Sequence, residues 1–119
     1  MTVRFAKYDQ SGRILFIGEV PESMLDAQTA DGNALVVGVA DPATDYVRRG
    51  RITARPVNPA QLDGLQLTGL PAPCAIHING QRYDCPDREA TLHFSYPGSY
   101  QIRVEAFPYL DAIFTVEST

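Results

Sequence analysis

The chain has 119 residues, 45% of them hydrophobic, and a formal net charge of −4 at pH 7. That length makes one ordinary domain or two very small ones, and the apolar fraction suffices for a core, which argues against a disordered chain. No window approaches the roughly 18 apolar residues of a membrane span, and the acidic balance speaks against nucleic acid and membrane as partners.

Residues 1–57 carry seven basic and seven acidic side chains, residues 58–119 three and seven. The first stretch reads as a small α+β unit. "VRFAKY" and "RILFIGEV" are rich in strand formers, and "DQSG" between them has the composition of a hairpin loop. In "PESMLDAQ" Pro21 suits the first helical position and Glu22 the positive end of the helix dipole, which predicts a helix of about two turns ending before Asp31-Gly32. "ALVVGVA" is a nearly continuous apolar run, as expected of a central strand covered on both faces. "DPATDYV" predicts one more helical turn, with Asp41 as its cap and Pro42 just inside.

"VRRGRITARP" then packs Arg48, Arg49, Arg51 and Arg55 into one short stretch. Guanidinium forks could grip a phosphate or carboxylate in bidentate fashion. No Gly-rich cradle or interleaved aromatic accompanies them, so the favoured reading is a hairpin turning at Arg49-Gly50, with its charges guarding a sheet edge or contacting a protein partner.

Between Pro56 and Pro73 the texture changes: "PVNPAQLDG" and "TGLPAP" together hold four prolines and two glycines around the short strand "LQL". Such punctuation marks a boundary, placed near residue 58.

"CAIHINGQRYDC" holds both cysteines and one of the two histidines. Asn79-Gly80 is a type I′ hairpin signal, because both turn positions need positive φ. Pairing outward sets Cys74 opposite Cys85, with Ile76, Ile78 and Tyr83 on the cysteine face and Ala75, His77, Arg82 and Asp84 on a wet one. His77 thus points away from the sulfurs, and in "TLHFSY" His93 alternates outward against Leu92, Phe94 and Tyr96, so no tetrahedral metal site assembles. Opposed residues about 4.5 to 5.5 Å apart at Cα permit a disulfide but do not require one. The charged, strand-like "MTVRFAKYDQ" lacks the apolar run of a secretory leader, and synthesis in a reducing cytoplasm favours buried thiols at first. A redox-active pair would want Cys-x-x-Cys spacing, which is missing.

"ATLHFSY", "SYQIRVEAF" and "AIFTVE" complete an all-β second half, a small sandwich in which Pro97-Gly98 is expected to make a tight type II turn between the first two strands. No catalytic motif occurs. Asp84, Asp87 and Glu89 gather in "DCPDRE", but without an EF-hand pattern they read as a solvated loop. Neither a cofactor nor a metal is expected, and an enzyme is the least favoured class.

"PGSYQIRVEAFPYLDAIFTVE" resembles the Pro-Gly-x-Tyr turn and following strand of many bacterial and phage immunoglobulin-like domains, and "LQLTGLPAPCAIHINGQRYDC" resembles the strands before it. "YDQSGRILFIGEVPESMLDAQ" with "DYVRRGRITARPVNPAQLDGL" is similar to segments of small tail-associated proteins of tailed phages and prophages. The resemblance implies an α+β docking unit over 1–57 and an immunoglobulin-like β-sandwich over 58–119, mainly β in all. It implies a non-enzymatic virion protein, made in the host cytoplasm and built into the tail tip, baseplate or fibre attachment. Its partners would be other tail proteins and copies of itself in trimer or hexamer symmetry. The arginine hairpin would dock the first unit. Two alternatives are a tail-fibre assembly chaperone and a carbohydrate-binding sandwich, whose aromatic platform would come from Phe107, Tyr109 and Tyr83.

Overall fold

The computed structural model describes residues 1–29 and 32–119, and the chain divides into two compact units, Met1–Arg55 and Pro56–Thr119. Both are built mainly from antiparallel strands. The division falls at Arg55/Pro56, inside the proline-punctuated stretch and two residues before the boundary expected from sequence.

In the first unit β1 (Thr2–Tyr8), β2 (Ile14–Pro21) and β3 (Ala34–Val37) form an antiparallel sheet ordered β2-β1-β3. Phe5 and Ala6 are adjacent on β1, so they point to opposite faces, and both are buried. The central strand is therefore β1. The expected central role of "ALVVGVA" does not hold: β3 pairs on one side only, and after a bond from Gly38 N–H to the Arg4 carbonyl (2.8 Å) the chain leaves the sheet, with Val37 and Val39 exposed. An apolar run is equally compatible with an edge, and periodicity alone does not separate the two.

The predicted helix is also corrected. Glu22–Met24 and Asp26–Thr29 are two short 3-10 turns with no buried residue between them. Without an apolar stripe to bury, so short a segment lacks the tertiary packing that stabilises most helices. Of the expected stop at Asp31-Gly32, Asp31 lies outside the described residues; Gly32 N–H donates to the Thr29 carbonyl at 3.0 Å.

A second sheet is the hairpin β4 (Asp45–Arg48) and β5 (Arg51–Ala54). Of the helical turn expected over "DPATDYV" only the first part forms, a turn over residues 42–44 in which Asp41 Oδ1 accepts from Ala43 N–H (2.9 Å) and the Asp41 carbonyl from Asp45 N–H (2.7 Å); Asp45, Tyr46 and Val47 already belong to β4. Ala6, Ile14 and Val47 form the small core of this unit, lined by Tyr8, Val36 and Ala40. The β1–β2 loop and the hairpin meet where Val47 N–H donates to the Gly12 carbonyl at 2.8 Å. Asp9 shapes that loop, its Oδ1 accepting from Ser11 N–H, Ser11 Oγ–H and Arg13 N–H, and the Ser11 hydroxyl is the main cause holding its carboxyl below the usual range.

The second unit has two sheets. One is ordered β10-β7-β6, from β6 (Gln61–Asp63), β7 (Gln66–Thr68) and β10 (Ala90–Thr91). The other is ordered β12-β11-β8-β9, from β8 (Cys74–Ile78), β9 (Gln81–Cys85), β11 (Gly98–Glu105) and β12 (Ala112–Ser118). Leu67, Leu70 and Leu92 from the side of the first sheet and Ile76, Ile102, Val104 and Val116 from the second make one buried cluster. Buried Asn58 ties the start of the unit to β11: its Nδ2 donates to the Val104 carbonyl (3.3 Å) while its Oδ1 accepts from Ala60 N–H (3.0 Å).

The tight turn expected at Pro97-Gly98 is not made. β10 pairs with β7, β11 pairs with β8 and β12, and Gly98 (φ 150°) opens β11 instead of occupying a type II turn. Leu92 N–H donates to the Leu65 carbonyl (2.7 Å) and Leu70 N–H to the Arg88 carbonyl (3.0 Å), so residues 88–92 are committed to 65–70 before the chain reaches Pro97.

Candidate functional site

The hairpin over 74–85 follows the register read from its turn. Asn79 and Gly80 have φ of 47° and 88°, and Cys74 is the Cα partner of Cys85, Ile76 of Tyr83 and His77 of Arg82. Both cysteines are free thiols here, Cys74 buried and Cys85 partly so. Burial, reinforced by the neighbouring Cys85, pushes the Cys74 thiol up to about 11. The Cys85 S–H donates to the Asp87 carbonyl at 3.5 Å. Since the thiolate is the nucleophile, only about a thousandth of Cys74 is reactive at pH 8. Iodoacetamide should therefore label Cys85 first and Cys74 at least about tenfold more slowly in the folded protein, with the difference vanishing in urea. Equal native rates would contradict the burial of Cys74, and silence of both until reductant is added would mean that the pair has been oxidised.

On the opposite face the register places Arg103 beside His77. His77 Nε2 lies 3.0 Å from Glu105 Oε1, with 14% of the His77 side chain exposed, so the face read as wet is partly closed. Ala75 on the same face is buried. Arg103 Nη1 reaches Asp111 Oδ2 at 3.1 Å and Glu105 Oε2 at 4.0 Å. The His77 hydrogen bond, helped by Arg103, holds the Glu105 carboxyl below the usual glutamate range. Because the folded value is depressed, the stability this pair contributes is present above the unfolded value of about 4.3 and is lost as pH falls through the folded one. Glu105 is 28 residues from His77 in sequence, so the pairing is made by the β8–β11 ladder and not by any local motif. Among the described residues, no three His, Cys, Asp or Glu side chains gather as a metal site.

The arginines sit at the tip of the β4–β5 hairpin. Arg49 (φ 53°) and Gly50 (φ 76°) make the turn, and Arg48 is the direct cross-strand partner of Arg51. All three are exposed. Arg55 is set apart from them, its Nη1 donating to the Ala43 carbonyl at 3.2 Å. Three guanidinium groups are thus collected at one tip of a chain whose net charge is −4. Like charges directly opposite in a ladder oppose pairing.

Phe107 and Tyr109 do not form an exposed platform. Both are partly buried, Tyr109 packs on the main cluster, and its N–H donates to the Ala106 carbonyl at 2.8 Å.

The aromatic surface of this unit lies elsewhere, in a groove of about 440 Å³ that includes Tyr83, Phe94, Tyr96 and Tyr100. Tyr83 and Tyr100 project from the core-facing side of β9 and β11, near one end of the sheet. β9 is an edge strand, so Tyr83 is 47% exposed although its partner Ile76 is buried. Phe94 stacks on Tyr100 with ring centroids 4.0 Å apart and planes 17° apart, and the Tyr100 hydroxyl donates to the Tyr96 carbonyl at 2.7 Å. Tyr96, expected to alternate inward, is 76% exposed, because the chain has left the β10 ladder before reaching it. The floor and rim add Ile78, Asn79, Gln81, His93 and Ser95.

The rings that define this groove were individually visible in the sequence, but only the abrupt end of β10 brings residues 93–96 over Tyr100. Compared with protein-family models, with curated proteins and with solved structures, the chain finds no significant match.

Proposed function

We propose that the chain is a non-enzymatic docking protein of the tail of a phage particle, which engages an acidic surface on a neighbouring tail protein through the tip of the β4–β5 hairpin. The observation that carries the docking role is the Arg48–Arg51 pair: two exposed guanidinium groups in direct cross-strand register, with Arg49 in the turn between them. Unbound, this arrangement opposes its own ladder; an acidic partner relieves it and gains steering and specificity from charge complementarity. The tail setting rests on the sequence resemblance, as does the reading of residues 58–119 as an immunoglobulin-like sandwich. That reading is supported by two antiparallel sheets feeding one buried cluster. In a symmetric particle the contact would repeat around the axis, and three or six copies multiply a modest affinity.

Arg48→Glu with Arg49→Glu is the discriminating variant. The carboxylate introduced at position 48 would face Arg51 as an opposite charge, so the hairpin should be no less stable than the wild type, and loss of docking could not be blamed on unfolding. Peptide mass spectrometry of purified particles should find the wild-type chain at a copy number divisible by three or six, and the double variant depleted by about tenfold or more. Undiminished incorporation would refute the docking role of the hairpin. Wild-type chain found in the lysate but not in particles would instead favour an assembly chaperone.

A further inference from the structure

The groove around Tyr83, Phe94, Tyr96 and Tyr100 has a composition that selects a ligand class. None of its lining residues is a carboxylate, a lysine or an arginine, although the chain as a whole is one-fifth charged. Its volume of about 440 Å³ lies within the range of small-ligand sites. We infer that this groove is a binding site for an uncharged saccharide, which would lay the C–H face of a sugar ring on Tyr96 and Tyr83 and hydrogen-bond its hydroxyls through the amides of Asn79 and Gln81.

Three features carry this. The first is aromatic exposure: Tyr96 and Tyr83 are 76% and 47% exposed in the same groove in which Phe94 and Tyr100 stack on each other. Ring faces offer a broad apolar contact with a polar hydroxyl at the edge, which matches a sugar's alternation of C–H faces and equatorial hydroxyls. The second is preorganisation. Tyr100 is held by its stack and by its bond to the Tyr96 carbonyl, and Asn79 is fastened to β11 in both directions, its N–H donating to the Gln101 carbonyl (3.0 Å) and its Oδ1 accepting from Gln101 N–H (2.8 Å). A wall that is already ordered costs a ligand little to engage. The third is the donor and acceptor inventory. The bond from Gln101 assigns the Asn79 oxygen and leaves the Nδ2 amino group uncommitted, and Gln81 on the rim brings a whole carboxamide, a group that both donates and accepts as a vicinal diol requires.

A proline-rich peptide is the competing occupant of aromatic grooves. The amides of Asn79 and Gln81 favour hydroxyl recognition, since a proline segment offers carbonyl acceptors but no backbone donors and would leave the Gln81 carboxamide oxygen without a partner, whereas a diol both donates and accepts. Titration of the ¹⁵N-labelled full chain with neutral hexasaccharides of glucose, N-acetylglucosamine, galactose, mannose and xylose, and in parallel with a proline hexapeptide, decides between them. At least one sugar should bind with a dissociation constant of about 1 mM or tighter, its amide shifts confined to residues 78–83 and 93–101. Tyr96→Ala and Tyr83→Ala should each weaken that binding by about tenfold, and the arginine-hairpin variant should leave it unchanged. Both rings are exposed, so both variants should keep the wild-type amide spectrum outside the groove. No response to any sugar at about 10 mM overturns the inference. So do shifts located elsewhere, full binding by the Tyr83/Tyr96 double variant, or a groove response to the proline peptide alone.

Discussion

Replacing Ile102 with alanine should cost the second unit about 4 kcal/mol, the upper part of the range for deleting a fully enclosed aliphatic side chain. Ile102 has no solvent exposure, lies on β11 between β8 and β12, and touches the cluster to which both sheets contribute. Its removal therefore forfeits the transfer free energy of three carbons and leaves a void that neighbours on a central strand cannot collapse into. A unit of this length has little stability to spare, so the variant should be largely unfolded at 37 °C. Urea unfolding followed by amide exchange reads the two units separately. Ile113→Ala is the control: on edge strand β12 with 60% exposure, it should change stability by no more than about 0.5 kcal/mol. Equal effects at the two sites would mean that the shared cluster is not what holds this unit together.

The second large effect belongs to Gly12. Its φ is 91°, and a Cβ placed there runs into the carbonyl oxygen of Val47, which is backbone and cannot swing aside. Gly12→Ala thus combines a left-handed penalty of about 1 kcal/mol with a steric one of about 2 kcal/mol, about 3 kcal/mol together. The clash strikes the point where Val47 N–H bonds the Gly12 carbonyl, so the hairpin would be pushed off the Ala6–Ile14–Val47 core. Gly50 supplies the comparison: its φ is 76° but nothing lies near its Cβ position, so Gly50→Ala should cost only about 1 kcal/mol. Amide exchange in β4 and β5 should rise strongly for the first variant and slightly for the second; the reverse order would refute the close approach.

Local signals were legible from the residues. Asn79-Gly80 and Arg49-Gly50 each carry two consecutive positive φ values, so turn chemistry alone set the registers of both hairpins, including the Cys74–Cys85 and Arg48–Arg51 pairings. Asp41 and Pro42 likewise announced the turn over residues 42–44. What was not legible depended on partners distant in sequence. "ALVVGVA" is as apolar as a central strand, but β1 took that place because it could bury Phe5 on one side and Ala6 on the other. Pro97-Gly98 carried a turn signal that was overridden by the bonds of residues 88–92 to 65–70. The candidate site suffered most: its rings stand at 83, 94, 96 and 100, on an edge strand, a loop and a central strand, and strict alternation through "TLHFSY" would have hidden Tyr96.

The Asn58 clasp bears on the order in which the molecule assembles itself. Its amide waits for a carbonyl on β11 that is 46 residues further along, and β8 waits for the same strand. On a chain emerging from its N-terminal side, β1 and β2 can pair as soon as both have appeared, whereas the second unit has no centre until β11 arrives. Closing such long loops before their contacts are rewarded is slow, in the range of about milliseconds to seconds for β-rich domains. Until then Leu67, Leu70 and Ile76 stand open to other chains, which makes the interval between the synthesis of β7 and that of β11 the one in which this unit is most exposed to aggregation.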